Sequence, residues 1–224
     1  TIEDLDLLSR SPGDLDSGVL TSALDRVAAE IKSRLRGGTS ASSDYVRRAV
    51  EALKRLSGTA CAEVRIGCLL DASQYFYVTG QGFAAIDPAT EAVQLSERAR
   101  RKAQLRKALT LLGITQADTG NISAAVESYA RALELARQLN DPVSECSVWI
   151  NLGVALLYAA QYRDAISCFE HAIEMSSRDK SLAAVRPNAF SNIALCALHL
   201  EDFGRGIKAA ETAVMESPPP VTAA

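Results

Sequence analysis

The sequence has few of the residues from which catalytic and metal sites are built. Of its 224 residues only two are histidines, and aromatic residues make up 5%. His171 and His199 stand at no metal-ligand spacing from a cysteine or carboxylate, and no nucleophile–base constellation can be assembled from the sequence. We therefore expect no metal, no cofactor and no enzymatic activity.

Cysteine is present, but it forms no recognisable framework. The five cysteines are an odd number and include no CxxC pair. They fall on alanine- and leucine-rich segments, where cysteine behaves as a small apolar residue. We expect them to be reduced and structural, which indicates a cytoplasmic protein. They are Cys61, Cys68, Cys146, Cys168 and Cys196.

Long apolar runs, a signal peptide and an excess of basic charge are also missing. The net charge is −3, and no apolar run approaches the length that spans a bilayer. Neither nucleic acid nor a membrane is therefore expected as a partner. The chain does not begin with methionine, so we expect it to be part of a longer protein.

What the sequence does contain is one pattern written three times. Its origins are Gly113, Gly153 and Ala194, which lie 40 and 41 residues apart. Each origin follows large apolar residues and precedes a polar turn, after which small and bulky residues alternate at helical spacing. The first copy reads Leu109, Leu112, Gly113, Ile122, Ala125, Tyr129 and Ala132. The second reads Trp149, Leu152, Gly153, Tyr162, Ala165, Phe169 and Ala172. The third reads Phe190, Ile193, Ala194, Phe203, Gly206, Ala210 and Ala213.

Such a pattern predicts antiparallel helix hairpins. Small residues allow two helices to approach closely, and the large residues fill the seam between them. Because one hairpin cannot bury its apolar faces alone, neighbouring hairpins must stack.

The three copies resemble the tetratricopeptide repeat family. The second copy matches all seven of the family's consensus positions, whereas the third departs at Ala194, Gly206 and Ala210. The long period is similar to that of kinesin light chains and of regulatory regions in bacterial signalling proteins. The resemblance implies an all-α, right-handed superhelical solenoid of about five antiparallel hairpins.

The rest of the chain is divided on this plan. Residues 1–15 are assigned to an N-terminal arm, with a turn or frayed segment over residues 1–13. Residues 16–216 are assigned to a single solenoid, and residues 217–224 to a Pro-rich tail or linker. The expected hairpins are 16–57, 60–100, 102–138, 142–177 and 183–216. No polar helix follows the last hairpin, so its open face is a candidate for self-association.

Three prolines bear on where helices begin. Asp87-Pro88 and Asp141-Pro142 both read as an N-cap followed by proline in the first helical position. Pro187 stands where the helix of Phe190 should already have started, so we expect a late start near Arg186 or a break in the first turns.

Two motifs carry competing interpretations. Gly80-Gln81-Gly82-Phe83-Ala84-Ala85 fits a dinucleotide fingerprint, but the charged segment after it favours a hairpin turn. Six cations between residues 98 and 107 read as a solvated helix junction or, alternatively, as a site for an acidic partner segment.

Asn151 and Asn192 both stand two residues before a repeat origin. In tetratricopeptide proteins the first helix of each hairpin lines a concave groove, and an asparagine here often holds a ligand's backbone. An amide both donates and accepts, which suits an extended main chain. The alternative is that these amides tie adjacent helices together. The same positions add Lys107, Thr110, Ile114, Asp118, Val154, Tyr158, Leu195 and His199 to the predicted groove. A clamp for a terminal carboxylate is disfavoured, because its set of asparagines and cations is not reproduced.

Together these features indicate a non-catalytic module that binds a protein or peptide segment. The alternative is a signal-input region of a larger bacterial cytoplasmic regulator, with a diguanylate cyclase or DNA-binding domain following it.

Overall fold

A computed structural model describes residues 2–10, 16–37, 43–56 and 61–217. Within these ranges the chain forms eleven α-helices and one short 3₁₀ helix, and no strand. The predicted all-α fold of consecutive helix pairs is confirmed. The helices are α1 (Ile2–Arg10), α2 (Ser17–Gly37), α3 (Ser43–Arg55), α4 (Ala62–Val78), α5 (Gly82–Arg98), α6 (Lys102–Asp118), α7 (Ile122–Gln138), α8 (Pro142–Tyr158), α9 (Tyr162–Arg178), α10 (Arg186–His199) and α11 (Phe203–Glu216).

The six helices from α4 to α9 have one common length. Each contains 17 residues, and each is joined to the next by three residues. The helices therefore begin every 20 residues, and the 40-residue repeat of the sequence is two such steps.

A left-handed residue ends most of these helices. The backbone angle φ is +74° at Gly80, +53° at Arg100, +51° at Asn140 and +58° at Ala160. After α8, the amide of Ala160 donates to the carbonyl oxygen of Leu157, and that of Gln161 to Leu156. This is the Schellman arrangement, which satisfies carbonyl groups that the helix end would leave unpaired.

Backbone contacts divide the chain into two compact units, residues 1–119 and residues 120–224. In the first unit, α1 packs on α2 and α3, and α4 packs on α2 and α5. The fully buried Arg65 of α4 donates to the carbonyl oxygens of Leu53 (3.3 Å) and Leu56 (2.6 Å) near the end of α3. A cation at these carbonyls complements the negative end of the helix dipole.

The second unit contains α7 to α11. Gly153 of α8 faces the buried ring of Phe169 on α9, and a Cβ atom at Gly153 would stand 2.6 Å from that ring. The glycine is therefore required by the close approach of the two helices. A smaller cluster of Cys146, Ala172 and Leu182 forms where the 3₁₀ helix Lys180–Val185 packs on α9.

The expectation of a turn or frayed arm at the N-terminus is wrong for residues 2–10. They form α1, in which Leu5 and Leu8 are 2% and 0% exposed and Asp4 pairs with Arg26 at 2.7 Å. Leucines three residues apart on one helical face provide enough apolar surface to anchor so short a helix. Residues 11–13 and the tail from Pro218 lie outside the described residues.

The interpretation of Asp87-Pro88 as a helix start is also wrong. Pro88 lies inside α5, which begins at Gly82 directly after the turn at Gly80. The buried hydroxyl of Ser73 donates to the carbonyl oxygen of Ala85 at 2.8 Å, in the turn before the proline. This bond ties the first turn of α5 to α4.

The other two prolines lie where the sequence predicts. Asp141 caps α8 by accepting from the amide of Ser144 at 3.0 Å, and Pro142 is the first helical residue. A 3₁₀ helix precedes Pro187, and α10 begins at Arg186. The late start is confirmed. That residues 16–216 form one solenoid stays a prediction.

Candidate functional site

Within the second unit, α8 and α10 are the first helices of successive hairpins, and they contact each other. Asn151, Val154 and Tyr158 of α8 follow one another at spacings of three and four residues, and so do Asn192, Leu195 and His199 of α10. This spacing places each trio on one face of its helix. We define these six residues as the α8–α10 face.

The two asparagines of this face are half-buried. Within the described part of the chain, the side chain of Asn151 forms no hydrogen bond. The amide of Asn192 donates to Asn188 Oδ1 at 3.2 Å, one turn earlier on the same helix. Neither asparagine side chain therefore bonds to another helix. The geometry does not support the alternative in which these amides tie adjacent helices together.

Apolar and aromatic side chains make up the rest of the α8–α10 face. Tyr158 is 77% exposed and Leu195 is 41% exposed, whereas Val154 is half-buried. His199 stacks on Tyr162, with ring centroids 4.6 Å apart and planes 1° from parallel. The sequence did not predict this stack, because it depends on side-chain directions across two helices. Its effect is to fix the imidazole at one end of the face.

The four predicted groove residues of the first unit lie on α6. Lys107 and Asp118 are exposed, whereas Thr110 and Ile114 are half-buried. The hydroxyl of Thr110 donates to the carbonyl oxygen of Arg106 at 2.9 Å. The carboxylate of Asp118 lies 2.5 Å from where a Cβ atom at Gly82 would stand, so it covers the hairpin turn before α5.

An aromatic cluster around Trp149 went unpredicted. The indole is partly buried, its ring lies 4.8 Å from that of the exposed His171, and the guanidinium of Arg137 is 5.9 Å from the ring centroid. Arg137 also pairs with Glu145 at 2.7 Å. Trp149 packs against the cluster of Cys146, Ala172 and Leu182, as the core role in the repeat pattern requires.

The dinucleotide interpretation of Gly80–Ala85 fails on geometry. Residues 75–78, which a cofactor site would require as a strand, lie in α4, and Gly80 forms the turn into α5. The hairpin-turn interpretation is confirmed. Nearby, the basic residues Arg98, Arg100, Arg101, Lys102 and Lys107 are all exposed, and Arg98 pairs with Glu91 at 2.9 Å.

The buried cysteines are poorly suited to nucleophilic chemistry. Burial raises the pKa of Cys68 to about 12 and that of Cys168 to about 11, and it also raises the pKa values of Cys146 and Cys196. Their thiolates are therefore scarce at neutral pH. Among the described residues, His, Cys, Asp and Glu side chains form no group of three or more arranged to hold a metal ion. Nor does any helix in those ranges combine the length and apolarity needed to cross a membrane.

One family matches the sequence. Residues 105–178 match the tetratricopeptide repeat, which covers α6 in part and α7, α8 and α9 fully. The resemblance found in the sequence is confirmed there. No curated protein matches the chain in sequence.

Solved structures resemble the chain in fold. BtubC (BKLC) from P. vanneervenii has 16% identity and a TM-score of 0.68, covering 100% of this chain and 96% of that one. A putative kinesin light chain with nearly identical TPR-like repeats from Podosopora anserina has 13% identity and a TM-score of 0.62, covering 84% and 95%. A Rap protein complexed with Competence and Sporulation Factor has 14% identity and a TM-score of 0.63, covering 95% and 57%. At these identities the likeness concerns the fold alone.

Proposed function

Because residues 105–178 are tetratricopeptide repeats within a chain of that fold, we propose that the protein is a non-catalytic module that binds an extended peptide segment of a partner protein. The α8–α10 face of the second unit is the proposed binding surface. The Rap protein of similar fold, which is complexed with a factor, supports a role in binding.

The proposal rests on the position, burial and hydrogen bonding of the two asparagines. They occupy the same register position on adjacent first helices, they are half-buried, and neither is bonded to another helix. A primary amide offers two donors and an acceptor, and a peptide group offers one of each. Asn151 and Asn192 can therefore each pair with a ligand's backbone regardless of its side chains.

The neighbouring groups supply selectivity. Val154 and Leu195 offer apolar contact next to the amides, and Tyr158 adds a large exposed ring. Aromatic groups of this kind contribute much of the binding energy at interfaces. We expect the bound segment to carry apolar side chains, alternating with residues that point to solvent.

The remaining predictions extend this proposal. Lys107, Thr110, Ile114 and Asp118 occupy the corresponding positions of α6 in the first unit, and their role in binding remains a prediction. The five free cysteines support a reducing, cytoplasmic location.

The test begins with peptides selected from a random library on the immobilised 224-residue chain. The dissociation constant of the best peptide is then measured by calorimetry for the natural chain and for Asn151→Ala/Asn192→Ala. Each amide lost leaves peptide groups without partners, at about 1–1.5 kcal/mol per site. The double variant should therefore bind roughly 30- to 150-fold more weakly.

Gln94→Ala is the matched control, since it removes an exposed amide from α5 in the other unit. It should leave peptide affinity unchanged. Thermal unfolding should show that all three proteins are equally folded. Equal peptide affinity of the double variant and the natural chain would place the binding site elsewhere.

A further inference from the structure

An apolar surface lies open on the last hairpin. Leu198 of α10 is 56% exposed, and Phe203, Ile207 and Val214 of α11 are 60%, 61% and 76% exposed. On α11 these residues and Ala210 follow one another at spacings of four, three and four, which places them on one helical face. We call Leu198, Phe203, Ile207, Ala210 and Val214 the terminal face.

The same register positions are covered in the preceding hairpin. Leu157 corresponds to Leu198 and is 8% exposed, and Ile166 corresponds to Ile207 and is 3% exposed. Both belong to the hairpin against which α10 packs, through contacts with α8 and α9. The terminal face therefore corresponds to the surface on which, in the preceding hairpin, the next helix packs.

At the centre of the terminal face, the side chain is smaller than at the same position in the two preceding copies. Ala210 stands where the pattern has Tyr129 and Phe169, which are 1% and 0% exposed. An alanine leaves a shallow depression between Ile207 and Val214. Two helices that cross at a small residue approach more closely than two that cross at an aromatic one.

We propose that the occupant of this face is a second copy of the chain. The two copies pair through a two-fold axis with their α11 helices antiparallel and crossing at Ala210. In this arrangement Ile207 of one copy lies beside Val214 of the other, and the reverse holds across the axis. The contact is isologous, so the chain itself supplies both halves of the interface.

Area and charge favour this occupant. The terminal face together with Met215, which is 82% exposed, offers on the order of 600 Å² of apolar side chain, close to the roughly 800 Å² per partner of stable interfaces. None of its residues is charged, so pairing two identical faces buries no charged side chain of the face itself. This area lies at the upper end of the roughly 300–600 Å² of the largest apolar patch on a typical monomer, and patches of that size often form binding surfaces.

The proposal is tested by sedimentation velocity on the 224-residue chain from about 1 to 200 μM. The natural chain should shift from monomer to dimer over this range. Ile207→Lys/Val214→Lys places four ammonium groups at the crossing, so dimerisation should weaken at least roughly 100-fold. Val143→Lys is the control, because Val143 is 54% exposed on α8 and lies off the terminal face; it should dimerise as the natural chain does.

A third variant tests the geometry. In Ile207→Lys/Val214→Glu, the antiparallel arrangement places each lysine beside a glutamate, so the variant should dimerise at least roughly 10-fold more tightly than the double-lysine variant. A natural chain that stays monomeric throughout the range would overturn the proposal. A dimer that persists in the double-lysine variant would also overturn it. Equal dimerisation affinities of the two double variants would have the same consequence.

Discussion

At the connections between helices, several residues hold a backbone conformation that L-amino acids adopt at a cost. Arg100, Ala160 and Glu201 have φ values of +53°, +58° and +59°, in the same left-handed region as Gly80 and Gly120. The conformation costs a residue with a Cβ atom about 1–2 kcal/mol, whereas glycine adopts it freely. The regular turn geometry is therefore imposed by the packed helices rather than by each turn residue.

Replacing Ala160 with glycine should stabilise the protein. The gain from relieving the left-handed alanine exceeds the added entropy of the unfolded chain, so we expect an increase of about 0.5–1 kcal/mol in the free energy of unfolding. Urea denaturation measures it. Ala159→Gly is the control, since φ is −80° at Ala159, and it should not stabilise. Equal effects of the two changes would show that Ala160 is unstrained.

Gly153→Ala should destabilise the second unit by about 1–3 kcal/mol, because the new methyl group would overlap the Phe169 ring. The cost should fall to near zero in a Phe169→Ala background, where the ring is absent. Urea denaturation of the four proteins in this double-mutant cycle measures the coupling.

Gly67→Ala is the control for helix propensity, because a Cβ atom at Gly67 meets nothing within 4 Å. It should stabilise by roughly 0.5–1 kcal/mol. If Gly153→Ala were as favourable, or its cost did not change when Phe169 was truncated, the close approach would not be what requires the glycine.

At the level of the helix, the ends of α10 and α11 are held by one ion pair. Arg186 at the start of α10 donates Nε to Glu216 Oε2 at 2.8 Å and Nη2 to Oε1 at 2.7 Å. A bidentate pair of this kind fixes direction as well as distance. The bond to Arg186 lowers the pKa of Glu216 below its usual 4.5.

Glu216→Gln should therefore lower the free energy of unfolding by roughly 0.5–1 kcal/mol at pH 7. A carboxylate with a depressed native pKa stabilises above its unfolded pKa, and this contribution is lost as pH falls through the native value. The difference between variant and natural chain should accordingly persist at pH 5 and disappear in more acidic solution. Glu211→Gln, an exposed change on the same helix, should have no effect at either pH. A Glu216→Gln effect independent of pH would rule out the ion pair as its source.

Helix positions followed closely from the sequence where side-chain size repeats, as at Gly153 and Phe169. The errors arose where local chemistry is ambiguous. Asp87-Pro88 and Asp141-Pro142 are identical dipeptides, yet only the second starts a helix, because the distance to the preceding turn differs. In α1, the two leucines Leu5 and Leu8 are too short a pattern to distinguish a helix from an irregular arm. The segment is recognised as a packed helix only from its contacts with α2 and α3.

For the candidate site, sequence register predicted the positions but not the partners of the side chains. The pairing of Asn192 with Asn188 and the stacking of His199 on Tyr162 depend on rotamers and on the angle between helices. No periodicity encodes these. Nor could the exposed fraction of Tyr158 be predicted, since the same position of a repeat can face solvent or a neighbour.

For the whole molecule, the free cysteines report on how tightly both units are packed. Cys61 is partly exposed, whereas Cys68, Cys146, Cys168 and Cys196 are buried with raised pKa values. At pH 8 a thiol reagent should therefore modify about one cysteine rapidly in the native protein and all five in denaturant. Cys61→Ser should abolish the rapid reaction. Rapid modification of a second cysteine would show that one unit opens readily.

The main contacts within each unit join helices that are neighbours or next neighbours along the chain. Few loops must therefore close over long separations, and contact order is low. During synthesis a 20-residue step emerges roughly every 1–4 s, whereas a helix forms in about a microsecond. Within each unit, a helix can thus pack on its predecessor before the next one leaves the ribosome. The spacing that makes the structure regular also allows the protein to fold while it is being made.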